Sequence, residues 1–326
     1  MKKSTSVSLL VLCIIILFMA CQKESSPDPI VNPPVVNPPV ILPPVSASFK
    51  ILDSLQMITD LQQLSSDAFK GRQAGTPEID LSHALIQNRL RQAGIDSLAT
   101  GYFQSFTLNA VTHNNLLGVI KGTARPDKYI VMGAHYDHVG VRASDGDVYN
   151  GADDNAGGVA AVLAAAKYFK ANPPKHSIIF ALWAAEEVGL RGSKYFTDNL
   201  PGTLTLSQLK FNLNLDMIAR SDNNKIWACG TYHYPTYKYL VDSLQGRTVV
   251  ELKAGYDSPS SPQNWTNLSD QGSFHAKGIP FLYLGVEDHA DYHKVTDEFS
   301  KIVPAKFNEN ANIAAQMMLL LDRKLN

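Results

Sequence analysis

The sequence predicts a single three-layer α/β domain over residues 47–326, with a central mixed, mostly parallel β-sheet flanked by helices. Three observations carry this expectation. Short β-rich apolar runs alternate with helical patterns along the stretch, as in folds built from βαβ units. No proline-rich or polar linker divides it, although a chain of 326 residues leaves room for two domains of ~150 residues each. Apolar residues make up 45% and charged residues 18%, the balance of a globular chain with a sizeable core.

The front end reads as address and tether. Lys2 and Lys3 precede an apolar stretch from Val7 to Ala20, interrupted only by Ser8. At ~14 residues it is shorter than the ~20 that span a bilayer, and it fits the apolar part of a signal peptide over 1–20. Its end, Leu17-Phe18-Met19-Ala20-Cys21, resembles a bacterial lipobox, which implies that Cys21 is lipidated and becomes the mature N-terminus. Residues 21–46 then repeat Val31-Asn-Pro-Pro-Val, Val36-Asn-Pro-Pro-Val and Ile41-Leu-Pro-Pro-Val45, and eight of the 18 prolines fall here. Such a segment favours polyproline II and reads as a semi-rigid spacer. The expected localisation is export with a lipid anchor in a bacterial membrane; Gln22 after the cysteine is compatible with the outer membrane.

Charge and cysteine content exclude other partners and bonds. With 29 basic and 30 acidic side chains the net charge is −1, a balance that argues against nucleic acid as the main partner, because neutralising phosphates needs a concentrated basic surface. Of the three cysteines, Cys13 leaves with the signal and Cys21 carries the lipid. Cys229 then stands without a disulfide partner and is expected to be a small buried hydrophobe.

Within the domain, strands are expected near 115–120, 129–134, 177–183, 210–216, 225–229, 249–252 and 281–285. Helices are expected at 81–92, 156–170, 193–199, 237–244, 271–277 and 304–323, with residues 47–107 forming an N-terminal helical and edge-strand portion.

Ligands of open parallel sheets bind beyond the carboxyl ends of the strands, and four predicted strands run into polar residues there. Residues 129–134 lead into His135-Tyr-Asp137-His138, and 177–183 into Glu186-Glu187. Residues 210–215 end on Asp216, and 281–285 lead through a short loop to His293. Between the first two lies the glycine-rich turn Gly151-Ala-Asp153-Asp154-Asn155-Ala-Gly157-Gly158. Two imidazoles with several carboxylates suit zinc, and three or more carboxylates bring enough negative charge for two divalent ions. Asp153 is expected to cap the following helix. His138 is expected in a solvent-facing or loop role, and His289, four residues before His293, is not expected to be a ligand.

Taken together, Gly133-Ala-His135-Tyr-Asp137, Gly151-Ala-Asp-Asp154-Asn-Ala-Gly-Gly158, Ala185-Glu186-Glu187-Val-Gly-Leu-Arg-Gly-Ser193, Asn214-Leu-Asp216-Met217 and Tyr292-His293-Lys-Val-Thr-Asp297 resemble the successive motifs of the co-catalytic zinc aminopeptidases. That family also contains glutamate-carboxypeptidase-like and glutaminyl-cyclase-like members. Phe69-Lys-Gly-Arg72 and Ser269-Asp270-Gln271 are similar to two further family segments. The resemblance implies a zinc-exopeptidase-like fold, peptide substrates and two Zn2+ per chain. It implies that His135 and Asp216 hold one zinc, that Glu187 and His293 hold the other, and that Asp154 bridges them. Glu186 is then the general base, and Asp137 orients the His135 ring.

Competing chemistries find less support. There is no Gly-x-Ser-x-Gly, so a serine nucleophile elbow is absent. The His-x-Asp-His at 135–138 is similar to a metallo-β-lactamase site, but position 133 is Gly where a further His is required. A glutaminyl cyclase with one zinc is the alternative within the family, and a non-catalytic surface-binding lipoprotein is the alternative of another class.

Overall fold

The computed structural model describes residues 49–325. The signal segment 1–20, Cys21 and the proline tether up to residue 46 lie outside the described residues. In chain order the elements are α1 (Ser54–Leu64), α2 (Ile79–Gln92), β1 (Asp96–Ser97), β2 (Phe103–Leu108), β3 (Val111–Ile120), β4 (Arg125–His135), β5 (Gly140–Val141), β6 (Val148–Tyr149), α3 (Gly158–Ala171), β7 (His176–Trp183), α4 (Arg191–Asp198), β8 (Leu209–Leu215), β9 (Lys225–Cys229), α5 (Tyr239–Asp242), β10 (Glu251–Ala254), α6 (Gln271–His275), β11 (Phe281–Gly285) and α7 (Pro304–Lys324).

Nine strands form one sheet in the order β1-β3-β7-β4-β8-β11-β9-β10, with β2 also on β3, while β5 and β6 make a separate short ribbon. The centre, β7-β4-β8-β11, is parallel throughout. β3 runs antiparallel to β7, and β9 antiparallel to β11, so the sheet is mixed with a parallel middle. Strand side chains alternate between faces, and here both faces are apolar. Ile130, Met132 and Ala134 of β4 and Ile178, Phe180 and Leu182 of β7 pack into the core that includes α1, α2, α3 and α7. Their neighbours Tyr129, Val131, Ile179, Ala181 and Trp183 face the opposite way, against Phe196 of α4 and Phe274 of α6. That alternation makes three layers. Trp183 is fully buried between those two phenylalanines, with ring centroids 5.2 and 5.9 Å away, a setting in which loss of a ring costs about 3–5 kcal/mol.

Departures from expectation have local causes. The strand expected at 249–252 forms two residues later as β10, because its parallel register with β9 begins at Glu251 opposite Lys225. Val249 is exposed, so its β-branched side chain marks no buried strand position. The helix expected from 156 begins as α3 at Gly158, after an irregular turn at 152–157. Among the described residues no helix is long and apolar enough to cross a membrane.

Candidate metal centre

The parallel strands deliver their carboxyl ends to one edge of the sheet. β4 ends on His135, β8 is followed by Asp216, and β7 is followed by Ala184 and Ala185 before Glu186 and Glu187. Ala185 is left-handed (φ 57°), so the chain turns at once and the two glutamates leave the strand direction. Asp154 comes from the turn before α3, and His293 from the loop after β11.

Two buried carboxylates hold these turns in place. Asp137 accepts the backbone N–H of Glu186 at 3.0 Å and of Glu187 at 3.3 Å. Asp297 accepts the backbone N–H of Asp153 and of Asp154, each at 3.1 Å. Burial pushes the carboxyls of Asp137 and Asp297 up to about 6. The expectation that the Asp137 carboxylate orients the His135 ring is corrected: it stands 4.0 Å from Nδ1, because the glutamate N–H groups occupy it. Nδ1 of His135 donates instead to the main-chain carbonyl of Asp137 at 3.1 Å, which turns Nε2 toward the carboxylates.

The candidate ligands meet in two groups. In the first, His135 Nε2 lies 3.3 Å from Asp216 Oδ1 and 3.4 Å from Asp154 Oδ1, and Glu186 belongs to the same cluster. In the second, His293 Nε2 lies 3.1 Å from Asp154 Oδ2 and 3.2 Å from Glu187 Oε2. Asp154 thus presents one oxygen to each group. Four donors around a zinc ion at 2.0–2.1 Å would stand roughly 3.3 Å apart in a tetrahedron. The observed spacings bracket that value, and the nitrogen and oxygen donors suit the ion, so the residues present fit zinc.

Other expectations need correction. His138 is buried, not solvent-facing, and its Nδ1 lies 2.7 Å from Glu187 Oε1, within the second group. Asp153 does not cap α3. Its carboxylate accepts the backbone N–H of Ala219 and Arg220 at 2.6 and 2.9 Å and meets His289 at 3.1 Å, while Asn155 Oδ1 accepts from Gly158. His289 is therefore paired with Asp153 and stands outside both groups. His83, His176 and His233 bond Tyr136, Asp322 and Thr266. Cys229 is buried, and burial pushes its thiol well above the usual range.

Electrostatics follow from crowding charges out of water. Burial opposes the charged form of His135, but Asp216 and Glu186 outweigh it and raise this imidazole well above its usual range. Hydrogen bonds to Asp154 and Glu187 raise His293 to about 10. For Glu187 burial opposes ionisation, yet His138 and His293 outweigh it and hold the carboxyl far below the usual range. Burial, with Asp216, Asp270 and Glu187 nearby, raises Glu186 well above the ordinary carboxylate range despite the opposing pull of His135.

Three groups had no assigned role in the sequence reading. Arg72 is fully buried and donates to five main-chain carbonyls around the site. Asp297 anchors the Asp154 turn, as described. Asp270 is a fully buried carboxylate pushed up to about 7 by burial, with His135 and Ser193 opposing that rise. All three fall in segments the family resemblance covers, which is the signal that points to them.

Residues 115–318 match the profile of peptidase family M28. Leupeptin-inactivating enzyme 1 of Streptomyces exfoliatus is 29% identical over 248 residues, covering 75% of this chain and 50% of that protein. The chain thus spans about half the length of this curated relative. Among solved structures, a zinc aminopeptidase from Bacillus subtilis superposes with a TM-score of 0.66 at 17% identity, covering 84% of this chain and 96% of the other. A glutaminyl cyclase from Fimbriiglobus ruber gives a TM-score of 0.68 at 18% identity, covering 82% and 95%. At such identities the superpositions show a shared fold, whereas the profile matches more than half of the sequence: the chain belongs to peptidase family M28.

Proposed function

We propose that this protein is a zinc aminopeptidase that holds two zinc ions per chain and removes N-terminal residues from peptides. The observation that supports this most directly is the pair of donor groups joined through Asp154, whose Oδ1 faces His135 and whose Oδ2 faces His293. A carboxylate shared in this way would suit a pair of divalent ions. His135 and Asp216 would hold one ion, Glu187 and His293 the other, and Asp154 both. When bound, the ions supply Lewis acidity, polarising the scissile carbonyl and lowering the pKa of water toward ~7.

The remaining work falls to side chains of this protein. Glu186 accepts a proton from the attacking water and passes it to the leaving amine, so that water is added across the peptide bond. Asp137 keeps Glu186 in place through its backbone N–H. The free ammonium of the substrate is received by the carboxylate-rich rim, Asp216 included. A cleft of about 250 Å³, lined by Arg220, Asp222, Val286, Glu287, Asp288 and His289, opens beside the loop that carries His293. Val286 ties this cleft to the residue after Asp216, donating to the Met217 carbonyl at 2.9 Å.

Aminoacyl-anilides with free and N-acetylated termini, together with glutaminyl peptides, separate the readings. Cleavage of the free substrates and sparing of the blocked ones is the expected result. Conversion of the glutaminyl peptides to their cyclised form without release of the anilide would replace the peptidase reading with the cyclase one, which the shared fold with a glutaminyl cyclase favours.

We also propose that the chain is exported and anchored to a bacterial membrane through lipid on Cys21. The support is the lipobox-like Leu17-Phe18-Met19-Ala20-Cys21 followed by the proline-rich spacer. Growth with labelled palmitate should label the parent protein and leave Cys21→Ala unlabelled; an unlabelled parent sinks the proposal.

A further inference from the structure

We propose that His138 is a sixth protein ligand, binding through Nδ1 and closing the shell of one of the two metal positions. This inference rests on the two-metal reading above.

Four donors form the second group: His138 Nδ1, His293 Nε2, Asp154 Oδ2 and a Glu187 carboxylate oxygen, all within 4.8 Å of one another. His138 Nδ1 stands 2.7 Å from Glu187 Oε1 and 3.5 Å from Asp154 Oδ2. His293 Nε2 stands 3.2 Å from Glu187 Oε2 and 3.1 Å from Asp154 Oδ2. The contacts of 3.1, 3.2 and 3.5 Å surround the roughly 3.3 Å expected between donors on one tetrahedral zinc, while the 2.7 Å contact, made to the other Glu187 oxygen, is shorter. Two imidazoles and two carboxylates are a complete ligand set for that ion.

The fold places the His138 ring there. The His138 N–H donates to the Arg72 carbonyl at 3.1 Å, fixing the end of the 135–138 segment. Gly151 lies flush against the ring: it is left-handed (φ 54°), and a Cβ there would stand 2.5 Å from His138 Cδ2. Only a glycine leaves space for the imidazole to reach the carboxylates.

The two positions then differ in kind. The second group has four protein ligands, as closed zinc sites do. The first has His135, Asp216 and the other oxygen of Asp154, three ligands with Glu186 alongside, the count typical of a site that keeps a position open for chemistry. The closed position should fill first and resist chelators longest.

The competing role for His138 is to donate Nδ1–H to Glu187 and position that carboxylate. Among the described residues its Nε2 is buried without a hydrogen-bond partner, so the ring's polar contacts there are made through Nδ1. Loading the full-length chain, with isotope-labelled histidine nitrogens, with an NMR-active cadmium isotope separates the two roles. One-bond cadmium–nitrogen coupling on His135, His138 and His293 is expected, with the His138 signal assigned by its loss in His138→Asn. The same variant, which keeps an N–H donor for Glu187, should bind one of the two ions at least about tenfold more weakly. Cadmium bound with coupling on His135 and His293 alone overturns the assignment and leaves the two-metal reading standing. A chain that binds no cadmium or zinc overturns both. The number of coupled histidines, three against two, is counted in the parent protein and does not depend on the variant folding.

Discussion

Glu186→Gln is expected to lower kcat by about 10²–10⁴-fold while leaving metal content and KM nearly unchanged. The side chains are equal in size, so the packing at the end of β7 and the bond from the Glu186 N–H to Asp137 are retained. What disappears is the ability to take a proton. A second consequence distinguishes this from general damage. In the chelated protein burial and the carboxylates of Asp216, Asp270 and Glu187 raise Glu186 well above its ordinary range. A carboxyl raised on folding weakens stability as pH climbs from its unfolded value of ~4.3 through its folded one, and adds no such penalty below. Glutamine resembles the neutral form and escapes the penalty. The chelated variant should therefore be at least as stable as the parent at neutral pH, and the difference should vanish near pH ~4. Peptidase assays and urea melts across pH check both halves. More than a tenth of the activity retained, or a large loss of stability, removes Glu186 as the base.

Much of this centre was legible because it follows from strand chemistry. His135, Glu186, Glu187 and Asp216 each stand where an apolar run stops, and parallel strands bring such stops to one edge. His293 lies eight positions beyond the end of β11, and no periodicity marks it; the family motif around it does. What stayed hidden depends on contacts far apart in sequence. His138 looked like a loop residue, yet it pairs with Gln73 in an isolated bridge that pulls the 135–138 segment inward. Asp153 had the identity and place of a helix cap, but the backbone of 219–220 and His289 claim its carboxylate, and it is Asn155 Oδ1 that accepts the Gly158 N–H. The antiparallel direction of β3 beside β7 is likewise a tertiary choice. Apolar alternation tells which faces are covered, not which way a neighbour runs.

Arg72→Met is expected to cost about 3–5 kcal/mol of folding stability at a residue that bears no catalytic role. Gly71 sets up the burial of this arginine: it is left-handed (φ 65°), and a Cβ there would stand 2.2 Å from the Gly140 carbonyl oxygen. The chain therefore passes close under the β5–β6 ribbon and sends the Arg72 side chain inward. There Nε donates to Tyr136 O, Nη1 to Leu64 O and Asn150 O, and Nη2 to Gly151 O and Asp154 O, at 2.6 to 3.3 Å. Among the described residues no carboxylate bonds the guanidinium. Burial pulls it down to about 10, and the charges of Asp154, Asp297, Asp137 and Glu187 oppose that fall. It is thus both a donor set for two ligand-bearing turns and a fixed cation beneath a crowd of carboxylates. Methionine fills a similar volume and removes both. Arg72→Lys separates them, since an ammonium keeps the charge but offers three donors from a single point, where a planar fork reaches five acceptors. If the donors dominate, lysine should recover little of the loss, and saturating zinc should not restore it. If charge dominates, lysine and zinc should each restore most of it, because either supplies a cation to the carboxylates. Urea unfolding of both variants, with and without zinc, decides. A methionine variant within about 1 kcal/mol of the parent would show that water replaces the guanidinium at all five carbonyls, and that the two turns hold their shape without it.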